Sequence, residues 1–154
     1  MKEVARIMPR LSIKITKFAE LDLYRLYRIM CLRDRVFVVG QGITAESELD
    51  GRDPDAWHVE AYSGDRLVAT ARLFVSEDPI SVGRIAVDHE IQRTGYGTEM
   101  MHWVNDWLGE RRAEMHAQAH LEPWYSRLGW MRTGDVFMEA DIPHVTMRWG
   151  NWTV

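Results

Sequence analysis

The sequence has 154 residues, 46% of them hydrophobic and 27% charged, and its 19 basic and 23 acidic residues give a net charge of −4. These values are typical of a chain that folds around one core, so we expect a single domain over residues 1–154. The negative charge argues against nucleic-acid binding, and no apolar run resembles a membrane span or a signal peptide, so we expect a cytoplasmic protein without nucleic-acid or membrane partners.

Hydrophobic periodicity predicts ten elements in the order β-α-β-β-β-α-β-α-β-β. In chain order these are a strand at 11–17, a helix at 21–38, strands at 57–62, 66–75 and 80–87, a helix at 98–111, a strand at 115–119, a helix at 121–128, and strands at 130–138 and 144–149. Antiparallel hairpins surround a single strand–helix–strand crossover. This order predicts an α+β domain with a mixed, mostly antiparallel central sheet and flanking helices, and it argues against a doubly wound fold.

Two predicted helices carry an apolar stripe that is expected to face the core. In the first helix the stripe is Leu23, Leu26, Tyr27 and Met30, and the glycines at 40 and 42 are expected to end the helix. In the second helix the stripe is Tyr96, Met100, Val104, Trp107 and Leu108.

Neither the cysteine nor the histidine pattern indicates a metal site. Cys31 is the one cysteine, which excludes a disulfide within the chain and a cysteine zinc site. His116 and His120 have the spacing of zinc-protease ligands, but Ala117 replaces the glutamate of that motif and the pair falls at a strand end. We therefore expect no metal cofactor.

The loop at 92–97, Gln-Arg-Thr-Gly-Tyr-Gly, lies between a predicted strand and a predicted helix. Glycines there let backbone N–H groups approach a ligand closely, and the helix N-terminus adds unpaired donors and a positive dipole end. Arg93 adds a charge, so the loop suits a phosphate or pyrophosphate. A tight turn without a ligand is the alternative, and the P-loop and dinucleotide-binding motifs are absent.

A second stretch, residues 118–130, follows the next predicted strand. It has a polar residue at the strand end (Gln118), a tyrosine seven residues later (Tyr125), and a glycine–aromatic pair four and five residues after that (Gly129 and Trp130). Together with the preceding loop, it resembles the signature of GNAT acetyltransferases. The resemblance runs from about residue 23 to residue 148. Further stretches resemble the ElaA-like branch of that superfamily: Val-Phe-Val-Val at 36–39, Glu-Leu-Asp-Gly-Arg-Asp at 48–53, Val-Gly-Arg at 82–84, Gln-Ala-His-Leu at 118–121 and Ile-Pro-His at 142–144.

The resemblance implies an acyl-CoA N-acyltransferase fold and an enzyme that moves an acetyl group from acetyl-CoA directly to an amine. The strand ending at Val87 would pair through its backbone with the pantetheine arm, and a backbone N–H near Val87 would stabilise the oxyanion. Tyr125 would protonate the departing thiolate, a plain core aromatic being the alternative. The implied cofactor-binding residues are Ile85, Ala86, Val87, Gln92, Arg93, Thr94, Gly95, Tyr96, Gly97, Thr98 and Gln118.

The general base is open among four residues: His58, Glu60, His120 and His144. Each is of a type that removes a proton from an amine, directly or through water. His58 and Glu60 share one face of a predicted strand. His120 and His144 are preferred because both lie in stretches that match the family.

The acceptor pocket is expected near the acidic stretch 48–53. Asp50 there would attract a cationic amine, whereas the alternative is a solvated acidic loop with an Asp-Gly turn. Arg84 would pair with an acidic residue of that loop or hold a substrate carboxylate. With His58, these are the predicted substrate-binding residues, and the expected acceptor is a small-molecule or peptide amine.

The tryptophans leave the oligomeric state open. Trp103 and Trp107 would pack in the core or in a subunit contact. Trp149 and Trp152 would seal a sheet edge or a dimer interface, so a homodimer is one expectation.

Two other functions are alternatives to an N-acetyltransferase. The first is a non-catalytic acyl-CoA-binding regulatory module, against which Tyr125 argues. The second is an N-acyltransferase like the acyl-homoserine-lactone synthases. Val36-Phe37 and the acidic residues at 48, 50 and 53 resemble the pattern of that class, but the chain is short for it.

Overall fold

The computed structural model describes residues 10–91 and 94–152, and the strands and helices follow the predicted order. The elements are β1 (Ser12–Lys17), α1 (Leu23–Arg33), β2 (Trp57–Ser63), β3 (Arg66–Phe74), β4 (Ile80–Val87), α2 (Tyr96–Leu108), β5 (Ala113–Gln118), α3 (Glu122–Arg127), β6 (Met131–Glu139) and β7 (Ile142–Trp149). The strands form one sheet in the order β1-β2-β3-β4-β5-β7-β6. β4 and β5 are parallel and the other neighbouring pairs are antiparallel, which confirms the predicted α+β class.

β4 and β5 separate shortly after they begin. Within the described residues they pair at two positions, Ile80 with Ala113 and Ser81 with Glu114. Beyond these positions the two strands run apart, and within the part of the chain that the structure describes, residues 82–86 of β4 are not paired with β5. The sheet therefore opens into a wedge between its two halves.

A β-bulge lies on β4 where the strand leaves β5. Arg72 of β3 pairs with Gly83 and Thr70 pairs with Ala86, so two residues of β4 face one residue of β3. Arg84, in the bulge, has a φ of +47°, a left-handed conformation that strains a residue with a side chain. Because a bulge bends its strand, it bends β4 beyond the last residue that pairs with β5.

α2 packs against one face of the sheet and α1 against the other. The core under α2 is built from Met100, Met101, Val104 and Leu108 of the helix, packed on residues of the sheet that include Val59, Ala61, Met115 and Met147. Trp130 is fully buried there, and its Nε1 donates to Asn105 Oδ1 at 3.0 Å. The smaller cluster under α1 consists of Ile29, Leu32, Val36, Leu67 and Ala86.

The apolar stripe predicted for α1 is wrong for Leu23 and Tyr27, whereas Leu26 and Met30 are partly buried and Met30 packs on the cluster under α1. Leu23 and Tyr27 are 83% and 72% exposed, whereas Ile29 and Leu32 are fully buried. The helix is rotated because its arginines form ion pairs on the side that faces the sheet, and a buried guanidinium requires those partners. The stripe predicted for α2 is confirmed for Met100, Val104 and Leu108, and its other two residues are partly buried.

Backbone geometry shifts several element ends from their predicted positions. α1 ends at Arg33 and continues as a π-helical segment, Asp34–Gly40. α2 ends at Leu108 because Gly109 takes a positive φ of +62°. β7 begins at Ile142, since the turn before it lies at Ala140 and Asp141, which have φ values of +49° and +61°.

The tryptophans near the chain end make contacts within the chain. Trp149 packs against Trp130 with ring centroids 6.0 Å apart, and its Nε1 donates to the Gly109 carbonyl at 2.9 Å. Trp107 packs against Trp57 at 6.0 Å. In the described part of the chain, no helix combines the length and the apolar character needed to cross a membrane. The homodimer and the cytoplasmic location stay predictions.

Candidate active site

A cleft of about 1490 Å³ occupies the wedge between β4 and β5. The cleft is lined by residues of both strands, by α3 and by the N-terminus of α2. The acidic loop before β2 and the turn between β6 and β7 complete its walls. Ligand pockets commonly measure about 300–1,000 Å³, so this cleft has room for a long cofactor and a second substrate.

The N-terminus of α2 forms one end of the cleft. Gly95 has a φ of +83°, and its carbonyl accepts the first helical hydrogen bond, from the Glu99 N–H at 3.0 Å. Because helical bonding begins there, the N–H groups of Tyr96, Gly97 and Thr98 precede the intrahelical ladder, and they lie at the positive end of the helix dipole. This is the geometry predicted for a phosphate site, and 94–98 line the cleft. The predicted binding residues Gln92 and Arg93 lie outside the described residues.

Gly97 is required by helix packing, whereas the prediction was that glycines in this loop let a ligand approach the backbone. A Cβ at this position would lie 2.9 Å from Val87 Cγ2 and 3.4 Å from the Trp124 ring, so the small residue lets α2 pack closely on β4 and α3. Trp124 Nε1 also donates to Thr98 Oγ1 at 3.0 Å. Trp124 was not predicted as a site residue, because its side chain reaches α2 through a contact that local spacing does not reveal.

The three β4 residues predicted to bind the cofactor differ in orientation. Ile85 and Val87 line the cleft. Ala86 is fully buried in the cluster under α1. Its methyl group therefore faces away from the cleft, and a ligand would contact Ala86 through its backbone, as the family resemblance implies.

Tyr125, on α3, lines the cleft. Its residue surface is 4% exposed, and its ring packs against Trp124 with centroids 4.7 Å apart. Burial raises the pKa of the Tyr125 phenol above its ordinary value, so the phenol stays protonated at neutral pH. The position is thus compatible with both predictions for this residue, proton donor and core aromatic.

The two preferred candidates for the base both line the cleft but differ in how they are held. His120 is exposed in the turn that follows β5. His144, on β7, is 7% exposed, and its Nδ1 lies 2.7 Å from the Ile142 carbonyl. Because a carbonyl oxygen accepts, Nδ1 carries the hydrogen, which leaves the lone pair on Nε2.

Gln118 forms a contact that the sequence did not indicate. Its side chain exchanges two hydrogen bonds with Gln41, of 3.1 Å and 2.9 Å. Gln118 ends β5 and Gln41 follows the π-helical segment, and both line the cleft, so the amide pair joins two of its walls. A role of Gln118 in cofactor binding stays a prediction.

The acidic loop is neutralised by three arginines. Arg33, with its side chain 1% exposed, lies 2.6 Å from Glu48 Oε1 and 2.6 Å from Asp53 Oδ1. Arg72 lies 2.9 Å from Asp50 and 3.2 Å from Asp53. With Arg84, these residues form a cluster of three arginines and three carboxylates: Arg33, Arg72, Arg84, Glu48, Asp50 and Asp53.

Arg84 does pair with the acidic loop. Its Nε lies 3.0 Å from Glu48 Oε1, without the angle of a hydrogen bond, and its Nη2 lies 3.5 Å from Asp50 Oδ2. Burial alone would raise the pKa of Asp50, but the hydrogen bonds and charge of Arg72 outweigh it and hold that pKa below its ordinary value. Asp50 therefore stays ionised and is engaged within the chain, so its contact with an acceptor stays a prediction.

The prediction that His58 binds substrate is wrong, and neither His58 nor Glu60 can serve as the base. Both are fully buried beneath α1 and the acidic loop, and neither lines the cleft. His58 Nε2 donates to the Asp53 carbonyl at 3.1 Å, and Glu60 accepts from Arg25 and Tyr62. Period-two alternation predicted their shared face correctly, but α1 covers that face.

We expect the free energy of unfolding to fall in two steps as the pH is lowered from 7.5. Burial lowers the pKa of His58, so the stability linked to His58 is complete above the unfolded value of 6.5 and declines below it. Asp53 is buried, which would raise its pKa, but Arg33 and Arg72 lower it, so its contribution is complete above 3.8 and declines as the pH falls further. Urea unfolding at several pH values measures both steps.

A matched variant separates the two contributions to this pH dependence. His58→Gln keeps a side-chain donor for the Asp53 carbonyl and cannot titrate, so it should flatten the step below pH 6.5 and leave the acidic step. An unchanged fall in stability between pH 7.5 and 5.5 in this variant would show that His58 is not its source.

Comparison with known proteins places this architecture in a family. Residues 39–150 match the sequence profile of the family described as "Acetyltransferase (GNAT) domain", so the chain belongs to the GNAT acetyltransferase family. It is similar to the protein ElaA of Escherichia coli (strain K12), at 32% identity over 143 residues that cover 84% of this chain and 90% of ElaA. It is also similar to the UPF0039 protein C11D3.02c of Schizosaccharomyces pombe, at 31% identity over 92% of this chain and 98% of that protein.

Solved structures agree with this assignment. The crystal structure of E. coli ElaA has a TM-score of 0.81 and 29% identity, covering 90% of this chain and 98% of that chain. An acyl-CoA N-acyltransferase from Pseudomonas aeruginosa has a TM-score of 0.79 and 32% identity over the same shares. The acyl-homoserine-lactone synthase LasI, at 15% identity and a TM-score of 0.72, shares the fold alone. The predicted family, fold class and enzyme class are thus confirmed.

Proposed function

We propose that the chain is an acetyl-CoA-dependent N-acetyltransferase that acts on a primary amine of a small molecule or peptide. The observation that carries this proposal is the separation of β4 from β5 after Ser81 and Glu114. This separation opens the edge of β4 to the cleft, and the cleft is also lined by the start of α2, Tyr125 and His144. A thioester arm along β4 would present its carbonyl carbon to an amine that enters from the other side.

In the proposed reaction the chain supplies groups that bind, orient and exchange protons. First-turn N–H groups of α2 would hold the pyrophosphate of the cofactor. His144 Nε2 would take a proton from the acceptor ammonium, because the protonated amine has no lone pair with which to attack. The neutral amine then attacks the thioester carbon, so that a C–N bond forms and the C–S bond breaks.

The protons of this reaction balance with Tyr125 as the acid. The departing thiolate takes the phenolic proton of Tyr125, and the proton lost by the new amide nitrogen returns to the phenolate. The proton on His144 passes to solvent. An ammonium ion and a thioester are thereby converted into an amide, a thiol and one proton.

The direct test is turnover of acetyl-CoA, read as free thiol, across a panel of polyamines, amino acids, aminoglycosides and peptides. We expect amine-dependent thiol release with at least one class and an N-acetylated product by mass spectrometry. Binding of acetyl-CoA without turnover on any acceptor would instead favour the non-catalytic regulatory module. Turnover of a long-chain acyl donor in place of acetyl-CoA would favour the synthase-like alternative.

Gly95→Val is expected to weaken acetyl-CoA binding by about ten-fold or more. At φ +83° a β-branched residue is strained by about 1–2 kcal/mol, so the loop would shift and displace the first-turn N–H groups of α2. Calorimetry with acetyl-CoA gives the dissociation constant. Gly109→Val is the matched control, because Gly109 also has a positive φ but lies at the opposite end of α2. Equal affinity in a folded Gly95→Val variant would overturn the assignment of this loop.

A further inference from the structure

Three titratable side chains lie together on the cleft face of β5, β7 and β6. They are His116, Glu139 and His144, and all three line the cleft. The strand register places His144 opposite Gln118 of β5 and opposite Phe137 of β6. Two-residue alternation then brings His116 and Glu139 to the same face. The group is therefore built by three strands that adjoin one another in the sheet.

His144 is held in one orientation by its surroundings. Its Nδ1–H donates to the Ile142 carbonyl, and Phe137 stacks on its ring with centroids 6.1 Å apart and an interplanar angle of 28°. The nitrogen left to accept a proton, Nε2, lies 3.7 Å from Glu139 Oε2. A proton that arrives on Nε2 thus creates an imidazolium beside a carboxylate.

Glu139 is in turn oriented by His116. The second carboxylate oxygen, Oε1, lies 2.8 Å from His116 Nδ1. His116 packs edge-on against Phe137, with centroids 5.0 Å apart at 77°. One carboxylate therefore bridges two imidazoles, and Phe137 contacts both rings.

We propose that Glu139 is a positioning residue for the general base, and that His116 holds the Glu139 carboxylate toward His144. The inference rests on the proposed function, in which His144 Nε2 takes the proton of the acceptor ammonium. A carboxylate at this distance lies beside the positive charge that forms on the ring when Nε2 takes that proton, and it restrains the orientation of the ring. The arrangement is a pair of His144 and the Glu139 carboxylate, in which His116 contacts the other oxygen of that carboxylate.

The other charged groups around the pair do not replace Glu139. Glu114 lies on the same face of β5, but Arg148 of β7 engages it at 3.1 Å. His120 is exposed in the turn after β5, and Gln118, opposite His144, is bonded to Gln41. Glu139 is thus the carboxylate whose oxygen faces Nε2 within the described residues.

The test compares Glu139→Gln with Glu114→Gln. Both changes remove one negative charge from the same face of the cleft. We expect Glu139→Gln to lower kcat about ten-fold or more with KM for acetyl-CoA unchanged, and Glu114→Gln to leave kcat within about two-fold. His144→Asn, which keeps a donor for the Ile142 carbonyl but has no basic nitrogen, should lower kcat roughly 10²-fold or more.

A double-mutant cycle distinguishes positioning from a general loss of structure. In a His144→Asn background, Glu139→Gln should change kcat by less than about two-fold, since its effect acts through His144. A further ten-fold loss in that background would overturn the proposal, as would equal kcat values for Glu139→Gln and Glu114→Gln. Activity that depends on His120 and survives His144→Asn would also overturn it. These outcomes all require turnover by the unmodified chain, whereas its absence on every acceptor would overturn the proposed function itself.

Discussion

Replacing Tyr125 by phenylalanine is expected to lower kcat by roughly 10²- to 10⁴-fold and to leave the affinity for acetyl-CoA unchanged. The Tyr125 ring is buried against Trp124, and phenylalanine occupies the same space, so packing is preserved. The change removes the phenolic proton that we assign to the departing thiolate. Steady-state kinetics with the best acceptor, and calorimetry with acetyl-CoA, measure the two quantities.

The control for this prediction is Tyr24→Phe. Tyr24 is 81% exposed on α1, and it should tolerate loss of its hydroxyl without any effect on kcat. Product release can hide a slower chemical step, so single-turnover rates should accompany kcat. Tyr125→Phe with the single-turnover rate of the unmodified chain would show that Tyr125 is a packing residue.

Arg33→Met is expected to lower the free energy of unfolding by about 3–5 kcal/mol. Arg33 has a side chain that is 1% exposed, and it is the partner of both Glu48 and Asp53. Methionine fills a similar volume but leaves two largely buried carboxylates with less compensating charge. For a chain of this length, the melting temperature should fall by about 10 °C.

Arg28→Met is the matched control for the Arg33 variant. Arg28 lies on the same helix but is exposed, so its replacement should change the free energy of unfolding by about 0.5 kcal/mol or less. Urea titrations of the two variants provide the comparison. Equal stabilities would show that Arg72 and Arg84 neutralise the acidic loop without Arg33.

Local motifs were enough to predict part of the site. Gly95 and Tyr125 lie in stretches that flank the crossover, and both line the cleft. The turn at Gly95 follows from a short-range feature, a tight turn that favours glycine, whereas the role of Tyr125 is implied by the GNAT resemblance of the stretch that contains it. Such features depend on a few neighbouring residues, so they can be recognised along the chain.

Other site residues depend on contacts between distant segments. Arg33 and Glu48 are brought together by the path of the acidic loop, and a hydrophobic pattern assigns such charges to the surface. Glu139 belongs to no motif, and it meets His116 because β7 lies between their strands. His58 was misassigned since alternation defines a face of β2 without saying what covers it.

The sequence by itself determined the order of the strands and helices and the turn at Gly95, because periodicity and turn chemistry act over a few residues. It also carried the GNAT resemblance, because the two motifs that resemble the family are each continuous along the chain. The tertiary structure alone decided where β4 leaves β5, which side of α1 is buried, and which carboxylates face Arg33 and His144. The first of these and the His144 contact depend on strand register, which is set by pairing between residues far apart in the chain. The buried side of α1 and the partners of Arg33 depend on ion pairs with distant segments. The cleft lies between β4 and β5 because, in the described residues, the pairing of these two strands stops after two positions.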